Sequence, residues 1–313
     1  MSRLNESMYR DLERKMFAHY GVEVREHLVH IEKPDTSVRV LEIGSGRPIV
    51  FIHGSPNNAA TWVPLAAELT DRRCLLLERP GAGLSTPVRR WTDHPTESAA
   101  VLQSVADHFD LDRTDLVGSS FGGLYAYNFA LARPDRVDKL ILMGSPGGPS
   151  VLGIPTIFRF LSIPLPRFVV NRALRPDPKE ARKMFVEIGH RVAIDRDLIP
   201  GVVFEWYSTL LNHTDTVEHL LREIRAIATP LGYRPAARLD DAALGGIAGP
   251  ILYLWGDEDA FAEPGKGDAL AALSPRAKIE HFEGFGHLLW YDNPTLIAER
   301  TETFLRTPGR QSP

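Results

Sequence analysis

The stretch VGSSFGGLY, Val117 to Tyr125, sets two adjacent serines among glycines. Ser120 has glycine two residues away on each side, Gly118 and Gly122, whereas Ser119 is flanked at the same spacing by Val117 and Phe121. Only Ser120 therefore fits G-x-S-x-G. That pattern marks a sharp strand-to-helix turn, the nucleophile elbow, which holds a serine in a strained backbone conformation with its hydroxyl pushed out of the sheet edge. Bulky neighbours two residues to either side would collide in so tight a turn. The competing reading is an ordinary helix start capped by one of the serines. Asp115 to Gly118 reads as a short strand and Phe121 to Arg133 as a helix stopped by Pro134, which is the context the elbow requires.

Outward from this point the chain alternates. PIVFIH (Pro48 to His53) is a short apolar run, as a strand buried on both faces should be. AATWVPLAAELT has helical composition, and RRCLLLERPGAG reads as a second buried strand ending in a glycine-rich turn. Pro95 opens a helix to about Phe109, and Lys139 to Met143 is again a strand. Strand and helix thus alternate from residue 48 to 148, the signature of an α/β fold with a mostly parallel sheet and helices on both faces. Upstream, a charged amphipathic helix is expected from about Asn5 to Tyr20, followed by β-segments near Val22 to His30 and Ser37 to Ile43.

After Pro149 the alternation breaks. TIFRFLSIPLPRFVV, KEARKMFVEIGHRVA and TVEHLLREIRAIA are helical in pattern, with scattered prolines. The alternation resumes with PILYLW, a helix near Gly267 to Leu273, AKIEHF, and a last helix from about Pro294 to Arg306. Residues 149–246 are accordingly read as a helical lid inserted into a core made of 1–148 and 247–313. The tail TPGRQSP is expected to be disordered.

Bulk composition narrows the class. Hydrophobic residues make up 43% and charged residues 24% of 313, as in a soluble globular protein, and the net charge is −4. No basic stripe suggests nucleic acid, and no segment has the apolar length of a membrane span. The one cysteine, Cys74, lies in an apolar run and reads as a buried, inert thiol. These features together favour a cytoplasmic protein with a small-molecule substrate.

A nucleophilic serine needs a base. Of eleven histidines, His19, His27, His30, His94, His108, His190, His213, His219 and His281 have no special setting, and surface or lid packing is expected for them. No H-E-x-x-H occurs, and no metal or cofactor is expected. His53 ends a buried strand before Gly54-Ser55-Pro56, and His287 lies in the glycine-rich loop EGFGHLLW after AKIEHF. The second position is at a strand end, where α/β sites form, and leaves the imidazole free to swing toward a serine. The base needs an orienting acid. Gly256-Asp257-Glu258-Asp259 follows PILYLW, and Asp259 is the candidate, with Asp257 the fallback.

The order Ser120, Asp259, His287 is that of the α/β-hydrolase superfamily, which the sequence resembles over nearly its whole length. The resemblance is carried by FIHGSPNNAATW, LERPGAGLS, VGSSFGG, LWGDEDAFAEP and GFGHLLWYDNP. It implies an α/β-hydrolase fold, with the acid three residues after the glycine of the late strand and the base after a glycine near the C-terminus. Acyl transfer also needs two N–H donors for the developing oxyanion. One is expected from Phe121, after the nucleophile. The other must come from the His53-Gly54-Ser55-Pro56 loop, where proline has no N–H. Gly54 and Ser55 remain, and the resemblance favours Ser55. His53 is then expected to brace the loop.

Relatives of this fold with aspartate at the elbow, the haloalkane dehalogenases and epoxide hydrolases, are disfavoured by Ser120. What the resemblance implies is a serine esterase or carbon–carbon-bond hydrolase working through an acyl-enzyme, on a small, mainly apolar ester, lactone, thioester or activated ketone. Trp206, Tyr207, Phe158 and Phe160 of the lid are the expected pocket residues. A lyase, cyclase or cofactor-free oxygenase on the same fold is the alternative, and would show negligible esterase activity. A ligand-binding receptor would bind tightly without turnover.

Overall fold

The computed structural model describes residues 5–164 and 166–309. The tail expected to be disordered lies outside the described residues from Arg310 onward.

Eight strands form one sheet: β1 (Val24–Ile31), β2 (Thr36–Gly44), β3 (Arg47–Ile52), β4 (Arg72–Leu77), β5 (Thr114–Ser119), β6 (Val137–Met143) and, after the small hairpin β7 (Ala228–Thr229) and β8 (Gly232–Tyr233), β9 (Ile251–Gly256) and β10 (Ala277–Phe282). Their spatial order is β1-β2-β4-β3-β5-β6-β9-β10. β2 runs antiparallel to both β1 and β4, and every other pairing in this sheet is parallel. The inner strands β5 and β9 are buried along their whole length, whereas β10, at one edge, has three residues partly buried, two exposed and only Phe282 buried. Continuous apolar sequence in the middle and alternation at the rim follow from this burial.

The order matters for function. β4 and β5 leave the sheet on opposite sides of β3, so the loops after β3, β4 and β5 diverge around a crevice at their carboxyl ends. Such a switch point is where open α/β sheets bind ligands.

The helices flank this sheet. α1 (Glu6–His19) opens with the Asn5 side chain accepting the Met8 N–H. α2 (Val63–Glu68) connects β3 to β4, and α3 (His94–His108) carries proline in its first turn, as expected. α4 (Phe121–Ala132) is apolar on all sides and buried from Phe121 to Ala130, which marks it as the central helix. Between the neighbouring strands β6 and β9 the chain inserts α5 (Thr156–Leu161), α6 (Arg167–Leu174), α7 (Pro178–Glu187), α8 (Arg191–Asp195), α9 (Gly201–His213), α10 (Thr216–Ile227), the small hairpin and α11 (Asp241–Gly245). α12 (Pro264–Ala271) links β9 to β10, and α13 (Pro294–Leu305) closes the chain with Asn293 capping Leu296 N–H.

The ends of the insertion meet at a neck. Pro149 bridges Leu239, Leu239 N–H donates to Gly148 O at 3.1 Å, and Ser150 N–H donates to Leu239 O at 2.9 Å. The neck thus closes before the Gly246 boundary read from the sequence. Beyond it, Gly245 of α11 lies close against the Leu273 carbonyl, next to α12.

One polar cluster in the interior is unusual in its charge. Arg39 on β2 is 1% exposed and donates to Glu13 of α1 at 2.6 and 2.8 Å and to Glu78 at 2.7 and 3.3 Å. Tyr9 and Asn58 join the set, and the exposed Glu26 carboxylate also accepts from Arg39 at 3.2 Å. Burial pushes the Glu78 carboxyl above the ordinary range, Arg39 opposes this, and Glu13 adds to it. Two buried carboxylates therefore depend on one guanidinium, which fastens α1 to the sheet. Arg39→Ala is expected to lower stability by about 3–5 kcal/mol, because it strands two buried carboxylates. The midpoint of urea unfolding checks this.

Candidate active site

Ser120 stands between β5 and α4 at φ 51°, ψ −121°, a conformation that L-residues rarely adopt. The strain is on the order of 1–3 kcal/mol and must be held by its surroundings. The flanking glycines show how. A Cβ on Gly122 would lie 2.0 Å from the Ile52 carbonyl oxygen, and one on Gly118 would lie 3.0 Å from the Gly122 carbonyl oxygen. The start of α4 is thus pressed against the end of β3 with no room for a side chain. The Ser120 carbonyl accepts N–H groups from Gly123 at 2.9 Å and Gly147 at 2.8 Å, which fasten the turn to the loop after β6. Ser119 is fully buried, and its hydroxyl has no hydrogen-bond partner among the described residues. Ser120 instead faces a cavity.

Asp259 follows β9 and His287 follows β10, so both reach the same sheet end as Ser120. His287 Nδ1 lies 2.8 Å from Asp259 Oδ2, and both residues are buried. The same oxygen accepts Ser145 N–H at 2.8 Å, while Oδ1 accepts Phe261 N–H at 2.9 Å. Burial by itself would raise the Asp259 carboxyl, but the His287 ring and these backbone donors outweigh it and hold the pKa below its ordinary value. Asp259 thus stays a carboxylate at neutral pH, facing the Nδ1 side of the His287 ring. Asp257, the fallback acid, is half-exposed and pairs with His281 at 3.1 Å instead. Gly144, at φ +70°, lets the chain pass under this pair, because a Cβ there would sit 2.4 Å from the His287 carbonyl oxygen.

The loop after β3 lies across Ser120. A Cβ on Gly54 would approach Ser120 Cβ to 2.8 Å. Ser55 follows in that loop, and Phe121 is the first residue of α4, where N–H groups have no partner within the helix. His53 is fully buried, with Nδ1 2.7 Å from Gly54 O and Nε2 accepting Arg79 N–H at 3.0 Å. Burial and the nearby Arg79 charge push its pKa well down, so the ring is neutral and braces the loop.

A cavity of about 270 Å³ opens beside these groups, lined by Ser55, Ser120 and His287 and by apolar side chains that include Leu161, Leu174, Met184, Ile188 and Leu220. A much smaller hollow of about 30 Å³ lies on the other side of Ser120, against Leu124, Ser145 and Tyr233. Phe158 and Phe261 border both, with rings 6.4 Å apart and nearly parallel. Of the four aromatic residues expected in the pocket, Phe158 and Tyr207 line the larger cavity. Phe160 and Trp206 do not. Phe160 stands two residues from Phe158 on α5, hence on the opposite helix face, and is 50% exposed. Trp206 is rotated a quarter-turn or so from Tyr207 on α9 and is wholly buried.

The family model described as "Alpha/beta hydrolase family" matches residues 49–300. The chain belongs to the α/β-hydrolase family. This hydrolase is 29% identical over 292 residues to the 2-hydroxy-6-oxononadienedioate/2-hydroxy-6-oxononatrienedioate hydrolase of Cupriavidus pinatubonensis, covering 88% of this chain and 94% of that one. The enzyme of the same name from Escherichia coli K12 is 25% identical over 293 residues, 90% and 95% of the two chains. Among solved structures, naproxen esterase from Bacillus subtilis superimposes with a TM-score of 0.73 at 18% identity, covering 96% and 98% of the chains. The 2-hydroxy-6-oxo-6-phenylhexa-2,4-dienoate hydrolase of Rhodococcus sp. strain RHA1 does so with a TM-score of 0.74 at 18% identity, covering 91% and 100%. At such identities the structures speak for the fold.

Two histidines of the hydrolase that the sequence left without a setting are buried in ionic surroundings. His94 lies 3.1 Å from Glu223. His190, between α7 and α8, has Nδ1 2.9 Å from both Asp292 oxygens, and its Nε2 accepts Leu288 N–H at 3.1 Å. Asp292 also accepts Gly286 N–H at 3.0 Å, and His287 N–H donates to Ile188 O at 3.0 Å. The insertion therefore holds the backbone of His287 and Leu288 directly, and that of Gly286 through Asp292. The stretch HLLWYDNP contained this clue, since an acid just after the base loop is placed to cap it. Among the described residues no helix is long and apolar enough to cross a membrane. His190→Ala leaves Asp292 without its imidazole and Leu288 N–H without an acceptor. It should lower stability by about 1–3 kcal/mol, read from urea unfolding, with the fold retained by circular dichroism.

Proposed function

We propose that this protein is a serine hydrolase in which Ser120 is the nucleophile, His287 the base and Asp259 the acid that orients it. The observation that carries this reading is the 2.8 Å contact between His287 Nδ1 and the buried Asp259 carboxylate, with Ser120 and His287 on one cavity. With its proton on Nδ1, His287 presents an unprotonated Nε2 to the cavity. Nε2 takes the hydroxyl proton as Ser120 Oγ adds to the substrate carbonyl carbon. The tetrahedral oxyanion accepts N–H groups from Phe121 and Ser55, and the dipole of α4 favours negative charge there. Collapse expels the leaving group, which takes the proton from His287 Nε2. An acyl-enzyme on Ser120 Oγ remains. Water attacks its carbonyl while His287 accepts the water proton, and the carboxylic acid departs as Ser120 recovers its own. No metal or cofactor takes part in this scheme.

The cavity walls indicate the substrate. Among the described lining residues there is no lysine or arginine, and the only carboxylate is Glu187. A dicarboxylate, as the name of the Cupriavidus pinatubonensis relative specifies, would bury a charge here with no cationic side chain among the described lining residues. The apolar walls suit an uncharged, mainly apolar acyl group, as an ester, lactone, thioester or activated ketone. A carbon leaving group is compatible with the same steps where an adjoining carbonyl stabilises the carbanion, and the names of the relatives favour that second reading. A cytoplasmic place of action fits the lone cysteine, whose buried thiol is pushed up to about 12 and kept inert.

Short p-nitrophenyl esters should be hydrolysed, and a fluorophosphonate should label Ser120. Ser120→Ala is expected to reduce kcat by about 10³- to 10⁶-fold with little change in KM. Full turnover in that variant would refute the assignment. Asp259→Asn should reduce kcat by about 10⁴-fold, because the amide no longer fixes the imidazole proton on Nδ1.

Asp259 makes the stability of the fold depend on pH. Its folded pKa lies below the ordinary value of about 3.9, so its ionised form supports the fold above that pH. That support is lost only as pH falls further.

A further inference from the structure

Arg79, at the end of β4, has no place in the steps above, yet its guanidinium is buried between both suggested oxyanion donors. Nε donates to the His53 carbonyl at 3.0 Å. Nη2 donates to the Gly54 carbonyl at 3.2 Å and to Ser55 Oγ. The guanidinium carbon lies 4.9 Å from the centre of the Phe121 ring and 5.3 Å from that of Tyr125. Nη1 is turned the other way and donates to Glu223 Oε2 at 2.7 Å.

Glu223 belongs to α10, in the insertion, and is buried. Its second oxygen accepts from the Tyr125 hydroxyl and lies 3.1 Å from His94 Nε2. Neither Arg79 nor Glu223 lines either hollow beside Ser120, so neither touches a substrate held there. A guanidinium offers its donors in one rigid plane, and here that plane joins three consecutive residues of the core loop to one carboxylate of the insertion.

We propose that Arg79 and Glu223 form a positioning pair for the oxyanion site, in which α10 holds the guanidinium and the guanidinium holds the Gly54–Ser55 loop and the Phe121 ring in register with Ser120. The pair stabilises the reaction through geometry. An error of about 1 Å in donor position is enough to lower a rate by about 10²-fold. A pair that merely attached the insertion to the core would affect stability and substrate binding, and would leave kcat alone.

The proposal rests on the reading of Ser120 as nucleophile, and two measurements keep the two apart. The first is amide hydrogen exchange across residues 53–57 in the native protein, Glu223→Gln and Arg79→Lys. Arg79→Lys retains a buried positive charge opposite Glu223, and so supplies a folded variant should Glu223→Gln fold poorly. The second is turnover of p-nitrophenyl butyrate.

Faster exchange in the loop, with unchanged exchange in β5 and β6, is expected together with kcat lower by about 10²-fold and KM within about twofold. Glu218→Gln, on the same helix but paired with Arg175, should change neither. Unchanged loop exchange in the folded variants overturns the proposal, as does a loosened loop with native kcat. A native protein that neither cleaves the ester nor takes fluorophosphonate on Ser120 refutes the nucleophile reading. The exchange result then still decides whether the pair holds the loop.

Discussion

No side chain fits at position 122. The carbonyl of Ile52 occupies the space where a Cβ would go, so the first turn of α4 packs directly on the last residue of β3. That contact forces the chain to turn within Ser119 and Ser120, and Ser120 takes up the strain in its positive φ. The rest of the site is arranged around this fixed point. Gly147 holds the Ser120 carbonyl, Gly54 crosses its side chain, and Gly144 passes beneath the Asp259–His287 pair. Each glycine stands where backbone replaces side chain as the packing surface. A rigid turn of this kind presents a hydroxyl at a position set by the sheet, whatever the loops do.

The insertion completes what the sheet begins. It roofs the larger cavity with α5, α6 and α7, and it also reaches down at two buried polar contacts. His190 and Asp292 enclose the loop that carries His287, while Glu223 meets Arg79 beneath the Gly54–Ser55 loop. Burial pushes the Glu223 carboxyl up, but Arg79, His94 and Tyr125 reverse this and bring it to about 2. Glu223 is therefore ionised throughout the neutral range, and its contribution to stability is lost only as pH falls from the ordinary glutamate value, about 4.3, through that low one. Both contacts pair a residue of the insertion with one of the core, so the cover and the floor of the cavity are mechanically continuous.

Much of this was legible in the sequence because the relevant signals are local. Apolar runs of six residues gave the strands β3 and β9, the short segment Asp115 to Gly118 gave β5, prolines gave the starts of α3 and α13, and the spacing of two glycines separated Ser120 from Ser119. Asp259 and His287 were found because each follows a strand, and a strand end is a position that sequence can locate. What stayed hidden was the partnership of residues far apart. Nothing in TVEHLLREIRAIA distinguishes Glu223 from Glu218, yet one is sealed against Arg79 and the other lies at a partly exposed ion pair. Phe158 and Phe160 look alike in sequence, and only the helix phase of α5 sends one to the cavity and the other to solvent. His94 and His190 were similarly unmarked, since burial of a histidine is decided by elements that sequence does not bring together.

The neck at Gly148, Ser150 and Leu239 gives the insertion the form of a cassette, entering and leaving the core at almost one point. A cassette with adjacent ends can be exchanged without disturbing the register of the sheet, which is how one scaffold acquires new pockets. Here exchange is not free. A foreign cassette lacking counterparts of Glu223 and His190 would leave Arg79 and Asp292 buried and unmatched. The core thus carries two sockets that any replacement must fill, and these sockets limit which pockets descent can try on this chain.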